Sequence, residues 1–253
     1  LADQAYPYYF NKDLSQMVYQ ANGKTYAIIK GKEKITLSGA INSFILPDST
    51  RDSDDIIGVK SFANTLYRSG DEVIRIDNKF EASSVAKKIN SIKTRYLASD
   101  GRTLLYMKND DLYKVDALNK NATAVKLVDG NVLNFVAVNK GSAVYFLNED
   151  KELYYQKGKG KPTHIADDVT SSISSSGLGA IVGFKDKILY YVSDSEVCST
   201  TGKKGKLVSG IDEDVVYLSA DLHAMLIVTS VLNNDGQVGY WSFDGKTFTD
   251  FGS

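Results

Sequence analysis

A unit of about 40 residues recurs along the chain, and this repeat limits the possible folds more than any other feature of the sequence. The clearest copy runs from Tyr96 to Gly130 and contains four short runs rich in β-branched and aromatic residues. Asp100-Gly101, Asn109-Asp110 and a polar loop separate these runs, and such residues accept the positive φ angles of tight hairpins. One copy therefore predicts four antiparallel strands joined by short turns.

An apolar triplet that ends in tyrosine marks the second predicted strand of most copies. The last residues of the six triplets are Tyr19, Tyr67, Tyr106, Tyr145, Tyr190 and Val228. The steps between them are 48, 39, 39, 45 and 38 residues, close to the ~40–50 residues of one four-stranded propeller blade. Because the tyrosine recurs at one strand position, we interpret it as packing between sheets and not as a sugar-stacking ladder.

The repeat predicts an all-β fold, a six-bladed β-propeller of four-stranded antiparallel blades in a single domain, residues 1–253. A fragment of a seven-bladed propeller is the alternative. The predicted blades cover about residues 6–41, 56–90, 96–132, 135–170, 178–212 and 215–253. In the second blade we predict Ile56–Phe62 as the inner strand, after a long connection, Asn42–Asp55. Glu81–Ile92 also fits an amphipathic helix, but the repeat favours an outer strand there.

Composition excludes several classes of function. The residues are 43% hydrophobic and 24% charged, which is enough apolar material for a packed core and gives no sign of disorder. A formal net charge of −1 provides no basic surface, so we expect no nucleic-acid partner. No apolar run approaches the roughly 18–20 residues of a membrane span, so we expect no membrane insertion of this segment. Cys198 is the single cysteine, and we expect it to be a small buried hydrophobic residue.

Motifs for catalysis are missing from the sequence. It contains no nucleophile elbow, phosphate-binding loop, dinucleotide fingerprint or paired zinc-ligand spacing. We therefore predict no catalytic residue, no metal site and no cofactor. His164 falls in the predicted outer strand of the fourth blade and His223 in a turn of the sixth, and we expect both at surfaces or sheet edges. The acidic residues between Asp48 and Asp55 carry ligand atoms that calcium accepts, but a solvated loop is the favoured interpretation.

In the third blade, Ala98–Tyr106 followed by Asp111–Asp116 resembles the TolB-type propeller repeat, with its Ser-x-Asp-Gly turn, apolar strand and Asp-Leu-Tyr strand. Similar blades form the propellers of dipeptidyl-peptidase-IV-like enzymes, whose hydrolase domain has no counterpart in a chain of this length. The sequence also resembles propeller domains that some Gram-positive bacteria carry outside a membrane anchor. This resemblance, together with a first residue other than Met, implies an extracellular or cell-surface location with an upstream anchor.

We therefore expect a non-catalytic binding or sensing domain that recognises a protein or a small molecule. A protein–protein scaffold is one alternative, and a propeller lyase or glycosidase with carboxylates at the channel mouth is another. Loops at one end of a propeller usually meet its ligand. The predicted ligand-binding residues in these loops are Arg51, Asp52, Asp54, Asp55, Asn233, Asn234 and Asp235.

Overall fold

Antiparallel hairpins that follow one another along the chain build the fold. The structure, a computed structural model, describes residues 7–29, 35–47, 52–53, 59–89, 95–170, 181–185, 187–208, 214–220, 224–232 and 238–250. These residues form 25 β-strands and no helix. The strands make six antiparallel sheets, five with four strands and one with five. The fold is therefore all-β and of the six-bladed β-propeller class, as the repeat predicts.

The chain divides into two compact units, and the first unit, residues 1–130, contains three sheets. Sheet one consists of β1 (Tyr8–Phe10), β2 (Gln16–Ala21), β3 (Lys24–Ile29) and β4 (Ile35–Leu37). Sheet two consists of β5 (Ser43–Ile45), β6 (Asp52–Ser53), β7 (Thr65–Ser69), β8 (Glu72–Ile76) and β9 (Ala82–Ala86). Sheet three consists of β10 (Arg95–Leu97), β11 (Thr103–Lys108), β12 (Asp111–Asp116) and β13 (Val125–Val128).

The second unit, residues 131–253, contains the other three sheets. Sheet four consists of β14 (Val132–Val138), β15 (Ala143–Asn148), β16 (Leu153–Lys157) and β17 (Thr163–Ala166). Sheet five consists of β18 (Ile181–Phe184), β19 (Ile188–Ser193), β20 (Glu196–Thr200) and β21 (Lys206–Leu207). Sheet six consists of β22 (Val215–Ala220), β23 (Met225–Leu232), β24 (Val238–Phe243) and β25 (Phe248–Asp250).

The predicted inner strand of the second blade is wrong. Ser43–Ile45 pairs with β7 in the place assigned to Ile56–Phe62, and Asp52–Ser53 adds a fifth strand on the other side of it. The residues of β5 are all buried, and the Phe44 ring contacts Tyr9 of sheet one at 5.1 Å between ring centroids. The segment predicted as a long connection therefore supplies the innermost strands of this sheet.

Residues 59–62 instead form hydrogen bonds with sheet one and with the turn after β1, which explains why they do not pair with β7 of sheet two. The Lys12 amide donates to the Val59 carbonyl at 2.8 Å, and the Phe62 amide donates to Gln16 Oε1 at 2.8 Å. The buried Asn11 side chain donates to the Lys60 carbonyl at 2.9 Å. Since these backbone groups have partners elsewhere, pairing with β7 is left to Ser43–Ile45.

The repeated tyrosines pack in the apolar clusters, as predicted. Tyr19, Tyr67, Tyr106, Tyr145 and Tyr190 expose at most 4% of their surface. Tyr67 belongs to the cluster between sheets one and two, and Tyr106 to the cluster between sheets two and three. Aromatic side chains of this size bury a large apolar area and favour tilted or edge contacts.

The prediction that all five tyrosines share one strand position is wrong for sheets four and five. Counted back from the hairpin turn, Tyr106 corresponds to Phe146 and to Tyr191. Tyr145 and Tyr190 lie one residue earlier, on the opposite face, and pack toward the following sheet of their unit. A shift of one residue reverses the face of a strand, so similar sequence triplets occupy opposite faces.

The outer-strand interpretation of the segment from Glu81 is confirmed, because Ala82–Ala86 forms β9. The Asn22-Gly23 hairpin is confirmed too, with φ angles of 50° and 69°. Such paired positive angles match the right-handed twist of the flanking strands.

We predict that Phe62→Ala lowers the free energy of unfolding by about 3–5 kcal/mol, because it leaves a cavity among packed aromatic rings. Phe62 is fully buried, and its ring centroid lies 5.7 Å from that of Phe44. Urea unfolding followed by tyrosine fluorescence would measure the loss. Leu14→Ala is the control, because Leu14 is 69% exposed. Equal effects of the two substitutions would contradict the placement of residues 59–62.

Candidate functional site

Most of the predicted ligand-binding loop residues lie outside the described part of the chain. Asp52 is described only as backbone in β6, where it pairs with Ile45. The residues outside the described ranges are Arg51, Asp54, Asp55, Asn233, Asn234 and Asp235. His223 and Asp48 are outside as well. The loop site therefore stays a prediction, and the ionisable groups that the structure does describe lie elsewhere.

Sheets two, three and four share one arrangement at the edge formed by their last two strands. An acidic residue follows the central hairpin turn of each sheet: Glu72, Asp111 and Glu152. Two residues later comes a side chain that pairs across the strands with one from the outer strand, and the pairs are Ile74–Ser84, Tyr113–Lys126 and Tyr154–His164. A β-bulge interrupts the ladder next to each pair. The bulge makes these edge positions equivalent in the three sheets.

In sheet three this edge holds the acid–lysine cluster, which we define as Asp111, Tyr113, Lys126 and Asp129. Lys126 Nζ lies 2.7 Å from Asp111 Oδ2 and 2.7 Å from Asp129 Oδ1, so one ammonium bridges two carboxylates. The Tyr113 hydroxyl donates to Asp111 Oδ2 at 3.1 Å, and the Gly130 amide donates to Asp111 Oδ1 at 2.7 Å. The cluster therefore pairs its own charges and also fastens the end of the outer strand.

The charges of the acid–lysine cluster stabilise one another. The hydrogen bond from Lys126 lowers the pKa of Asp111, with further help from the Gly130 amide. The same bond to Asp111, followed by that to Asp129, raises the pKa of Lys126. The carboxylates and the ammonium therefore all remain charged at neutral pH.

In sheet four the same positions hold the carboxylate–imidazole cluster, which we define as Glu152, Tyr154, His164 and Asp167. The His164 Nε2 lies 3.0 Å from Asp167 Oδ1. The Tyr154 hydroxyl donates to Glu152 Oε2 at 2.7 Å, and Asn148 Nδ2 donates to the same oxygen at 2.8 Å. The ligand atoms of Glu152, His164 and Asp167 all lie within 4.8 Å of one another.

Aromatic contacts hold the carboxylate–imidazole cluster in place. The Tyr154 ring stacks on Phe146, with centroids 5.3 Å apart and an angle of 14° between the planes. The His164 ring meets Tyr154 edge-on at 5.3 Å between centroids. The side chains of His164 and Asp167 are 44% and 69% exposed, so solvent reaches the cluster directly.

Hydrogen bonding also fixes the charge states in this cluster. The bonds from Tyr154 and then Asn148 lower the pKa of Glu152, and donation to Glu152 raises the pKa of Tyr154. Glu152 is therefore an ionised acceptor at neutral pH and Tyr154 a protonated donor. This arrangement suits the binding of a cation and disfavours Glu152 as a general acid.

His164 is the one member of this cluster that the sequence predicts at a sheet edge. His164 lies in the outer strand β17 and is exposed, which confirms the prediction of an edge histidine. The sequence-based prediction of site residues does not include Glu152 or Asp167. Sheets three and four share one sequence pattern: an acid follows the turn, a tyrosine comes two residues later, and a second acid lies three residues after the basic side chain. The pattern can be recognised only once the cross-strand pairing is known.

Cys198 lies in β20, is partly buried and packs against the cluster of sheets four and five. Burial raises the pKa of its thiol, so the reactive thiolate is disfavoured. This agrees with the expectation of a small hydrophobic residue.

No protein-family model matches this chain, and no curated protein matches it. Hsv2 of Kluyveromyces lactis is similar with a TM-score of 0.48 and 11% identity, over 97% of this chain and 76% of that chain. Hsv2 of Kluyveromyces marxianus gives 0.44 and 12%, over 96% and 74%. A chain of the S. cerevisiae Dbp5 complex with Nup159 and Gle1 gives 0.45 and 10%, over 85% and 70%. At this level of similarity we assign neither a family nor a function from these structures.

Among the described residues, no helix is long and apolar enough to cross a bilayer.

We predict that Lys126→Met lowers the urea midpoint at neutral pH and that the difference from the unchanged protein disappears as the pH falls. The pKa of Asp111 is lowered in the folded state, so its stabilising contribution is complete above the ordinary carboxyl range. That contribution is lost as the pH falls below the ordinary carboxyl range and through the lowered pKa. Unfolding curves across this range would test the prediction.

Lys120→Met is the control for this measurement, because Lys120 is an exposed lysine in the loop before the same outer strand. A stability difference for Lys126→Met that stays constant with pH would mean that its methylene chain, and not its charge, holds the edge.

Proposed function

We propose that this chain is a non-catalytic binding domain that recognises a small molecule or a protein partner. The supporting observation is how the carboxylates in the described turns are used. Asp13 Oδ1 accepts from the Ser15 amide at 3.1 Å, Asp77 Oδ1 from the Lys79 amide at 2.8 Å, and Asp244 Oδ1 from the Lys246 amide at 2.8 Å. These acids hold their own turns, a structural role that leaves a rigid frame for recognition loops.

The charge states support the same proposal. The bond from Ser15 lowers the pKa of Asp13, and the bond from Thr247 lowers the pKa of Asp244. Burial raises the pKa of Tyr145 to about 12 and also raises the pKa of the Cys198 thiol. Each shift strengthens the protonation state that the group already has at neutral pH. Catalytic acids, bases and nucleophiles are usually shifted in the opposite direction.

A propeller lyase or glycosidase is the second candidate, because Glu152 and Asp167 bring carboxylate oxygens within 4.8 Å of each other. Two carboxyl groups at about 5–5.5 Å are the arrangement of a retaining glycosidase. Such an enzyme also needs one carboxyl that keeps its proton near neutral pH. The lowered pKa of Glu152 opposes that role, so the binding proposal is preferred.

We further propose that the domain works outside the cytoplasm, held at the cell surface by an upstream anchor. The resemblance to propeller domains that some Gram-positive bacteria carry outside a membrane anchor motivates this placement. Digestion of intact cells with an added protease would test it, with an antibody against this domain as the readout. Loss of the signal without cell lysis is expected, and full protection would contradict an outer location.

We predict that a ligand of this domain stabilises it without being converted. A ligand at 100 times its Kd should add about 2.7 kcal/mol to the free energy of unfolding. Thermal unfolding with a panel of sugars, peptides and anionic polymers would find such a ligand, and mass spectrometry would show whether it is chemically changed. Chemical cross-linking to co-purified proteins would detect a protein partner in the same way.

The loop residues provide the decisive variants. Combined substitution of Asp52, Asp54 and Asp55 by Asn should weaken binding, and so should substitution of Asn233, Asn234 and Asp235 by Ala. Lys120→Ala is the control on a described surface. Turnover of any compound in the panel, abolished by Glu152→Gln, would overturn the non-catalytic proposal.

A further inference from the structure

We propose that Glu152, His164 and Asp167 bind a divalent transition-metal ion of the zinc, cobalt or nickel type. Their ligand atoms lie within 4.8 Å of one another, and the Asp167 oxygen is 3.0 Å from the His164 nitrogen. Ligand atoms bound at ~2.0–2.2 Å to one ion lie about 3–4 Å apart, so small rotations of these side chains complete the set. The inference is independent of the loop residues in the proposed function.

The equivalent positions in sheet three show that this edge is built to hold a cation. There Lys126 Nζ lies 2.7 Å from each of the carboxylates of Asp111 and Asp129. By cross-strand pairing, Lys126 corresponds to His164, and the two acids correspond to Glu152 and Asp167. In sheet four, two carboxylates therefore flank an imidazole in the place of a permanent ammonium.

Sheet two follows the same rule with another lysine. Glu72, the acid after the turn, pairs with Lys87 at 3.5 Å between Nζ and Oε1. Lys87 takes the position that Asp167 has in sheet four. Two of the three equivalent edges thus carry their own positive charge. At the edge of sheet four, an imidazole and no lysine lies among the equivalent positions, with its Nε2 3.0 Å from Asp167 Oδ1.

Neighbouring groups orient the ligands. Two hydrogen bonds, from Tyr154 and Asn148, both end on Glu152 Oε2 and hold that carboxylate at the edge. The Ser193 hydroxyl donates to the Asp167 carbonyl at 3.2 Å, and Val169 forms a bridge with Ser193. This ties the backbone after His164 to sheet five. Such outer contacts fix ligand geometry and often change metal affinity by about 10–100-fold.

The ligand chemistry selects the class of ion. One imidazole nitrogen with two carboxylates suits zinc, cobalt or nickel, whereas calcium and magnesium take oxygen ligands. Three protein ligands leave a position for water or for a group from another molecule, and two of them are exposed. The expected site is therefore open and exchangeable.

Isothermal titration of the untagged, chelator-treated protein with Zn²⁺ would test this proposal, together with the visible absorption spectrum of added Co²⁺. We expect one saturable ion per chain, and no binding of Ca²⁺ or Mg²⁺ at the same concentrations. His164→Lys copies the arrangement of sheet three, so it should abolish binding while the metal-free variant stays folded, with a urea midpoint no lower than that of the unchanged protein. Tyr154→Phe should weaken binding by about tenfold.

Two further variants make the test specific. His223 is the only other histidine in the sequence, and His223→Ala should leave binding unchanged. Lys126→His should add a second ion, because it places an imidazole between Asp111 and Asp129. The proposal is overturned if the unchanged protein binds no Zn²⁺, if binding survives in His164→Lys, or if His223→Ala removes it. Failure of Lys126→His to add an ion would overturn the argument from sheet three.

Discussion

Packing of apolar sheet faces against each other is the interaction on which each unit depends. An isolated four-stranded sheet leaves one apolar face in water, so it gains stability only when another sheet covers that face. Between sheets one and two, Phe44 contacts Tyr9, Phe62 and Tyr67 through ring centroids 5.1–6.2 Å apart. Between sheets four and five, Tyr145 and Tyr191 share a cluster from which solvent is excluded. The acid–lysine and carboxylate–imidazole clusters lie outside these apolar clusters, at the edges formed by the last two strands of sheets three and four.

Turn residues made most of the strand order predictable. Asn109-Asp110 fixes the hairpin of sheet three, and β11 and β12 lie on either side of it, as the turn pattern predicts. The second sheet was mispredicted because two apolar runs compete for one position, Ser43–Ile45 and Ile56–Phe62. Tertiary hydrogen bonds decide between them: Asn11 and Lys12 donate to residues 59–60, and Gln16 accepts from the Phe62 amide. No local sequence pattern reports such contacts.

Strand register explains why the repeated tyrosines do not all share one strand position. It also explains why the sequence predicts only part of the candidate site. Tyr106 lies two residues before the end of β11, whereas Tyr145 lies three residues before the end of β15, so the two side chains are on opposite faces. Glu152 corresponds to Asp111, because each is the acidic residue that directly follows the central turn of its sheet. From the sequence, His164 can be recognised as an edge residue, but its partners come from the turn before β16 and from the segment after β17. Their meeting depends on the bulge, which is a feature of the ladder and has no marker in composition.

The bulge shared by sheets two, three and four has a practical consequence. An extra residue in the outer strand, Val85, Leu127 or Ile165, sets the direction of the side chains that follow. The chain thus carries the same bulged edge position three times, each in a separately hydrogen-bonded sheet. Replacing a single side chain at one of these edge positions alters the chemistry displayed there and leaves the hydrogen-bond ladders of the other two sheets intact. This makes the protein a natural scaffold for displaying a different surface group at the equivalent position of each of these three sheets.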